Sequence, residues 1–158
     1  NLHDAGFADH LQSRCAAAGV PPESIIVELT ETAAMGDAAT AMDIMTRLRI
    51  KGFRLAIDDF GTGYSSLVQL QVLPFSELKI DRAFVRECDK SRQSQVIVKT
   101  MIDLARNLGL ACVAEGVESR VVLDFVRDNG CDMAQGYYVS KPLSSQDSIL
   151  WLRNERGL

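Results

Sequence analysis

Two adjacent aspartates, Asp58 and Asp59, follow the apolar run Arg54-Leu55-Ala56-Ile57 and lead into Phe60-Gly61-Thr62-Gly63-Tyr64-Ser65-Ser66-Leu67. A buried strand that ends in a double negative charge is costly unless cations lie beside it. Other polar residues stand near the ends of other short apolar runs: Glu28 and Glu31, Lys79 and Asp81, Glu115 and Glu118, and Gln135 before Gly136. Carboxylates and an amide oxygen are hard ligands, suited to Mg²⁺ or Mn²⁺. A pair of such ions roughly 3.5–4 Å apart activates water and steadies the leaving oxygen of a phosphodiester. In that chemistry Lys79 either holds the attacking water or offsets carboxylate charge, and Glu115 can accept a proton.

Each residue also has a plainer reading. A glutamate after a strand is commonly a neighbour of a helix cap or a solvated loop charge, which applies to Glu31 and Glu118. Lys79 in Leu78-Lys79-Ile80 alternates with apolar residues and would face solvent on a one-sided sheet. What raises the joint case is the shared position, because a parallel sheet brings the carboxyl ends of its strands to one rim.

The elements that must position these residues alternate along the chain. Strands are expected at Ile25–Leu29, Arg54–Ile57, Glu77–Ile80, Ala111–Ala114 and Met133–Gln135. Helices are expected at about 38–51, 66–72, 91–108 and 119–129, with a last one from near Ser145. A further helix at the front carries Phe7, Leu11 and Cys15 on one face and closes at Gly19. Ser91 and Ser119 are expected N-caps, and Pro74 forbids continuation of the helix before it. This alternation implies right-handed βαβ units and a parallel sheet. Five strands are too few to close an eight-stranded barrel. The sheet is then either open or part of a longer barrel whose first strands are absent.

Composition narrows the field. The 158 residues suit one domain, with 47% hydrophobic and 24% charged residues. No apolar run approaches the roughly 20 residues of a membrane span. The formal net charge of -4 and the lack of a basic stretch argue against a nucleic-acid polymer as partner. Cys15, Cys88, Cys112 and Cys131 are scattered with no C-x-x-C pair, so they do not suggest zinc. Cys15 and Cys112 read as small buried hydrophobes, and the compartment as the reducing cytoplasm. Paired carboxylates on a rim also suit a glycosidase. Aromatics are only 6%, however, and the single Trp lies in the last helix, so platforms for sugar stacking are scarce.

Five segments then carry a resemblance: Glu28-Leu29-Thr30-Glu31, Asp58 to Leu67, Leu78-Lys79-Ile80-Asp81, Ala114-Glu115-Gly116-Val117-Glu118 and Gln135-Gly136-Tyr137. In order and spacing they resemble the EAL domain, a family of bacterial phosphodiesterases that linearise cyclic di-GMP to pGpG. The resemblance covers essentially the whole chain. It implies an α/β fold, a TIM-like barrel of the EAL type that is incomplete here, with residues 1–158 the C-terminal two-thirds of the usual domain. It implies metal-binding roles for Asn1, Glu28, Asp58 and Asp59, with two Mg²⁺ or Mn²⁺ ions. Lys79 and Glu115 match the residues around the attacking water, either being the base. Gln135 and Glu118 match substrate-lining positions, and Glu31 matches the glutamate that holds the Asp-Phe-Gly loop in shape.

The family likeness further implies cyclic di-GMP as ligand and a homodimer through the Asp58–Leu67 loop and the following helix. A GGDEF or sensory domain often accompanies such domains. Two departures stand out. No Glu-Ala-Leu segment occurs in this sequence, although its glutamate is a metal ligand in the family, and His3 stands where Ser is common. A catalytically inactive EAL-like domain that binds cyclic di-GMP or a protein partner is therefore the alternative.

Overall fold

The computed structural model describes Asp4 and residues 6–36, 38–61 and 67–156. Its elements run α1 (Phe7–Ala18), β1 (Ile26–Thr30), α2 (Glu31–Gly36), α3 (Ala38–Ile50), β2 (Arg54–Phe60) and α4 (Leu67–Val72). They continue with β3 (Glu77–Ile80), α5 (Arg82–Val85), α6 (Arg92–Leu108), β4 (Ala111–Glu115), α7 (Arg120–Asp128), β5 (Met133–Gln135) and α8 (Ser145–Arg156). The caps follow local chemistry. Ser91 Oγ accepts the Ser94 N–H at the start of α6, and Ser119 Oγ accepts the Val122 N–H at the start of α7.

The five strands are all parallel and lie in chain order, β1-β2-β3-β4-β5. With right-handed crossovers, an order that never reverses places every connecting helix on the same face. That is the winding of a barrel, whereas a doubly wound sheet reverses its order and carries helices on both faces. Burial agrees with this reading. Leu55, Ile57, Leu78, Ile80, Cys112 and Ala114 point to the helical face and are all fully buried. The opposite face carries polar residues, including an ion pair of 2.5 Å between Arg54 and the buried Glu77.

Register assigns the residues of that inner face. Glu28 pairs with Ala56, Ala56 with Glu77, Lys79 with Val113, and Glu115 with Gln135. Side chains alternate at period two, so Glu28, Asp58, Lys79, Glu115 and Gln135 share one face.

The structure corrects one expectation that bears on the site. Strand β2 does not stop at Ile57; it runs to Phe60, so Asp58 and Asp59 lie inside it rather than after it. Ile57 pairs with Leu78 and Phe60 with Ile80, giving three steps on β2 against two on β3. The extra residue is a β-bulge, and Asp59 takes it up at φ 54°. Aspartate enters the left-handed region more readily than most residues. The short helices α2 and α5 were also not expected; each is one turn or little more, too brief for a periodic signal.

Candidate functional site

Lys79 organises the inner rim. It sits in the middle of a strand buried at every position, and only 5% of it is exposed. Its Nζ lies 2.8 Å from Glu28 Oε2, 3.0 Å from Asp58 Oδ1 and 2.7 Å from Glu115 Oε1. One ammonium thus ties β1, β2 and β4 together from β3. Burial pulls its pKa down, but hydrogen bonds to Glu115, Glu28 and Asp58 more than reverse this, and the net shift is upward. Without bound cations, the three carboxylates thus favour the charged form of Lys79.

The carboxylates beside it are closely grouped. Oxygens of Asp58, Asp59 and Glu115 all lie within 4.8 Å of one another, a set able to hold a metal ion. Counting Glu28, four carboxylates face one ammonium. The surplus charge shows in Asp59, whose pKa is raised. A hydrogen bond with Asp81 is the largest cause, followed by burial and then by the charges of Asp58, Asp81 and Glu115.

The remaining expected residues are placed as follows. Glu31, 3% exposed at the start of α2, accepts the Gly61 N–H through Oε2 at 3.0 Å. This joins the end of β1 to the turn after β2. Gly61 itself stands at φ 99°, and a Cβ there would lie 2.2 Å from Met101 Cε. Gln135 ends β5 directly opposite Glu115 and is exposed. Glu118 lies in the loop after β4, half-exposed, and is ion-paired with Arg86 Nη2. Asn1, His3 and residues 62–66 lie outside the described residues, and with them half of the Asp58–Leu67 stretch of the expected dimer segment.

Two neighbours were given no role by the sequence reading. Asp81 follows β3, caps α5 by accepting the Ala83 N–H at 2.7 Å, and shares a hydrogen bond with Asp59. The strand-end rule that selected Glu115 also marked Asp81, without assigning it a task. Arg86, the partner of Glu118, carries no such signal, because its position depends on how α5 packs beside the β4–α7 loop.

Fold and rim together define an α/β protein of singly wound, barrel type with an acidic, metal-competent site at the carboxyl ends of its strands. The chain matches the family described as EAL domain over residues 1–142, and it belongs to that family. It is 39% identical to Pseudomonas aeruginosa MucR, named a bifunctional diguanylate cyclase/cyclic di-GMP phosphodiesterase, over 92% of this chain and 21% of MucR. The EAL domain of Mycobacterium smegmatis DcpA superposes with a TM-score of 0.89 at 38% identity, over 95% of this chain and 67% of that one. A manganese/cy-diGMP complex of Klebsiella pneumoniae BlrP1 superposes with a TM-score of 0.83 at 33% identity, over 89% of this chain and 36% of that one. The chain thus spans about a fifth of the length of MucR.

Proposed function

We propose that this chain forms the catalytic rim of a phosphodiesterase that hydrolyses cyclic di-GMP to pGpG. The observation that carries the reading is the surplus of carboxylates around the single buried ammonium of Lys79. Such a rim repels a phosphodiester unless cations are held there. Glu28, Asp58 and Asp59, with Asn1, would hold two Mg²⁺ or Mn²⁺ ions. Bound there, the ions supply positive charge against the phosphodiester and a Lewis acid that makes water a competent nucleophile near neutral pH.

The chain's own residues supply the rest. Lys79, held among the carboxylates, orients a water or an anionic oxygen at the rim. Glu115, 2.7 Å from that ammonium, is placed to take a proton. Gln135, opposite Glu115, and Glu118, steadied by Arg86, line the place of the ligand. Glu31 holds the Gly61 turn and so the aim of Asp58 and Asp59. The names of MucR and of the BlrP1 complex support the choice of cyclic di-GMP.

Residues 1–158 read as a single domain within a longer signalling protein, as in MucR, with a GGDEF or sensory domain as companion. The Asp58–Leu67 segment and α4 are read as the homodimer contact, and the cytoplasm as the compartment. Among the described residues, no helix is long and apolar enough to cross a membrane.

The rim geometry also admits a second reading, in which Lys79 and its carboxylates hold the ligand without turnover. A domain that binds cyclic di-GMP without cleaving it would follow. Release of pGpG in Mn²⁺ or Mg²⁺, set beside cyclic di-GMP binding in Ca²⁺, separates the two. Hydrolysis that Asp58→Asn lowers by about 10²-fold or more, with folding retained, supports catalysis. Binding without pGpG release supports the second reading.

A further inference from the structure

On the helical side of the sheet, away from the carboxylate rim, two cysteines meet. Cys112 lies in β4 and is 1% exposed, while Cys131 lies in the turn into β5 and is partly exposed. The Cys131 thiol lies 3.3 Å from the Cys112 carbonyl oxygen and 3.2 Å from the Met133 carbonyl oxygen. The two thiols are close enough to shift each other's pKa in opposite directions. Val113 pairs with Met133, so the cysteines occupy neighbouring chain segments just ahead of that pair. The register continued one step back sets Cys112 beside Asp132, whose carboxylate accepts the Cys112 N–H at 2.8 Å, so Cys131 lies one residue from that partner.

We propose that Cys112 and Cys131 are an oxidisable dithiol that closes a disulfide between β4 and the turn into β5 in the presence of a small-molecule disulfide. Cys131 is the entry point because it alone of the two is reached from solvent. Its thiolate attacks one sulfur of the oxidant and expels one thiolate. The sulfur of Cys112, losing its proton, then displaces the second thiolate from Cys131. The pair gives up two electrons and two protons, and the oxidant becomes two thiols.

The surroundings suit this order of events. The Cys131 pKa is lowered, chiefly by the neighbouring Cys112 thiol, against the cost of burial. Cys112 is shifted the other way by the Cys131 thiol and by burial, with Asp132 opposing its ionisation and Arg106 favouring it. Cys88, by contrast, is pushed up to about 11 by burial and by the charge of Asp89, which suits an inert core thiol.

The test treats the folded protein with oxidised glutathione, then denatures it and labels the remaining thiols with a maleimide. Two of the four cysteines should stop labelling, and tryptic peptides 107–120 and 128–153 should travel as one species until reduced. Cys131→Ser should keep those peptides separate, and Cys112→Ser should leave a glutathione adduct on Cys131. Full labelling of all four thiols, a persistent adduct on Cys131 in the unmutated protein, or a disulfide that uses Cys15 or Cys88 would overturn the proposal.

Discussion

Asp59 follows Asp58 directly in β2, yet both carboxylates reach the same side of the sheet, with oxygens within 4.8 Å of each other and of Glu115. In a regular strand, successive side chains point to opposite faces. The bulge between Ile57 and Phe60, with Asp59 at φ 54°, removes that alternation at the one place where the site needs two neighbours together.

This arrangement sets a pH dependence. The raised pKa of Asp59 means that the metal-free fold prefers the protonated acid more than the unfolded chain does. Its stabilising contribution is complete below the ordinary aspartate pKa of about 3.9 and is lost as pH rises through the raised value. Lys79, shifted upward, stays charged throughout and adds no slope near neutrality. Asp59→Asn should therefore flatten the fall in melting temperature of the metal-free protein as pH rises from acid towards neutral. In calorimetric titrations, Mn²⁺ affinity should weaken as pH falls, beginning above the pH at which an ordinary aspartate takes up its proton.

Lys79→Met tests the charge balance. It removes the single ammonium shared by Glu28, Asp58 and Glu115 and leaves those carboxylates facing one another. The expected cost is about 3 kcal/mol, at the low end for breaking a buried pair because Glu28 is half-exposed. Mn²⁺ should recover part of that loss in the variant, since a cation replaces the missing charge. Thermal melts of both proteins with and without Mn²⁺ check this. Hydrolysis should stay depressed even where stability recovers.

Glu31→Ala removes the acceptor of the Gly61 N–H and lets the turn after β2 relax. Residues that orient metal ligands typically contribute about 10–100-fold in affinity or activity. A loss of that size in pGpG release is expected, with a smaller loss for Glu31→Gln, which keeps an acceptor oxygen. Steady-state kinetics of the two variants check the difference.

Gly136→Ala probes the seating of Gln135. A Cβ at Gly136 would lie 2.2 Å from the Val117 carbonyl oxygen and 2.3 Å from the Val117 nitrogen, so backbone would have to move. The same contact carries two hydrogen bonds, Val117 N–H to Gln135 O and Tyr138 N–H to Val117 O, each 3.0 Å. A destabilisation of about 1–3 kcal/mol is expected, readable in urea denaturation.

The periods of the chain were enough for its architecture. Short apolar runs alternating with amphipathic stretches specify a parallel sheet, and β3 and β5 fall where the pattern puts them. Caps at Ser91 and Ser119 were legible because capping is local, depending on a hydroxyl three residues from the N–H it accepts. The positions of Glu28, Asp58, Lys79, Glu115 and Gln135 near strand ends were likewise written in the chain. The bulge at Asp58 and Asp59, the hold of Glu31 on Gly61, the hydrogen bond between Asp59 and Asp81, and the meeting of Cys112 with Cys131 were not. Each of these depends on register between segments about 20 to 30 residues apart, and register comes from strands packing side by side, which no local pattern encodes.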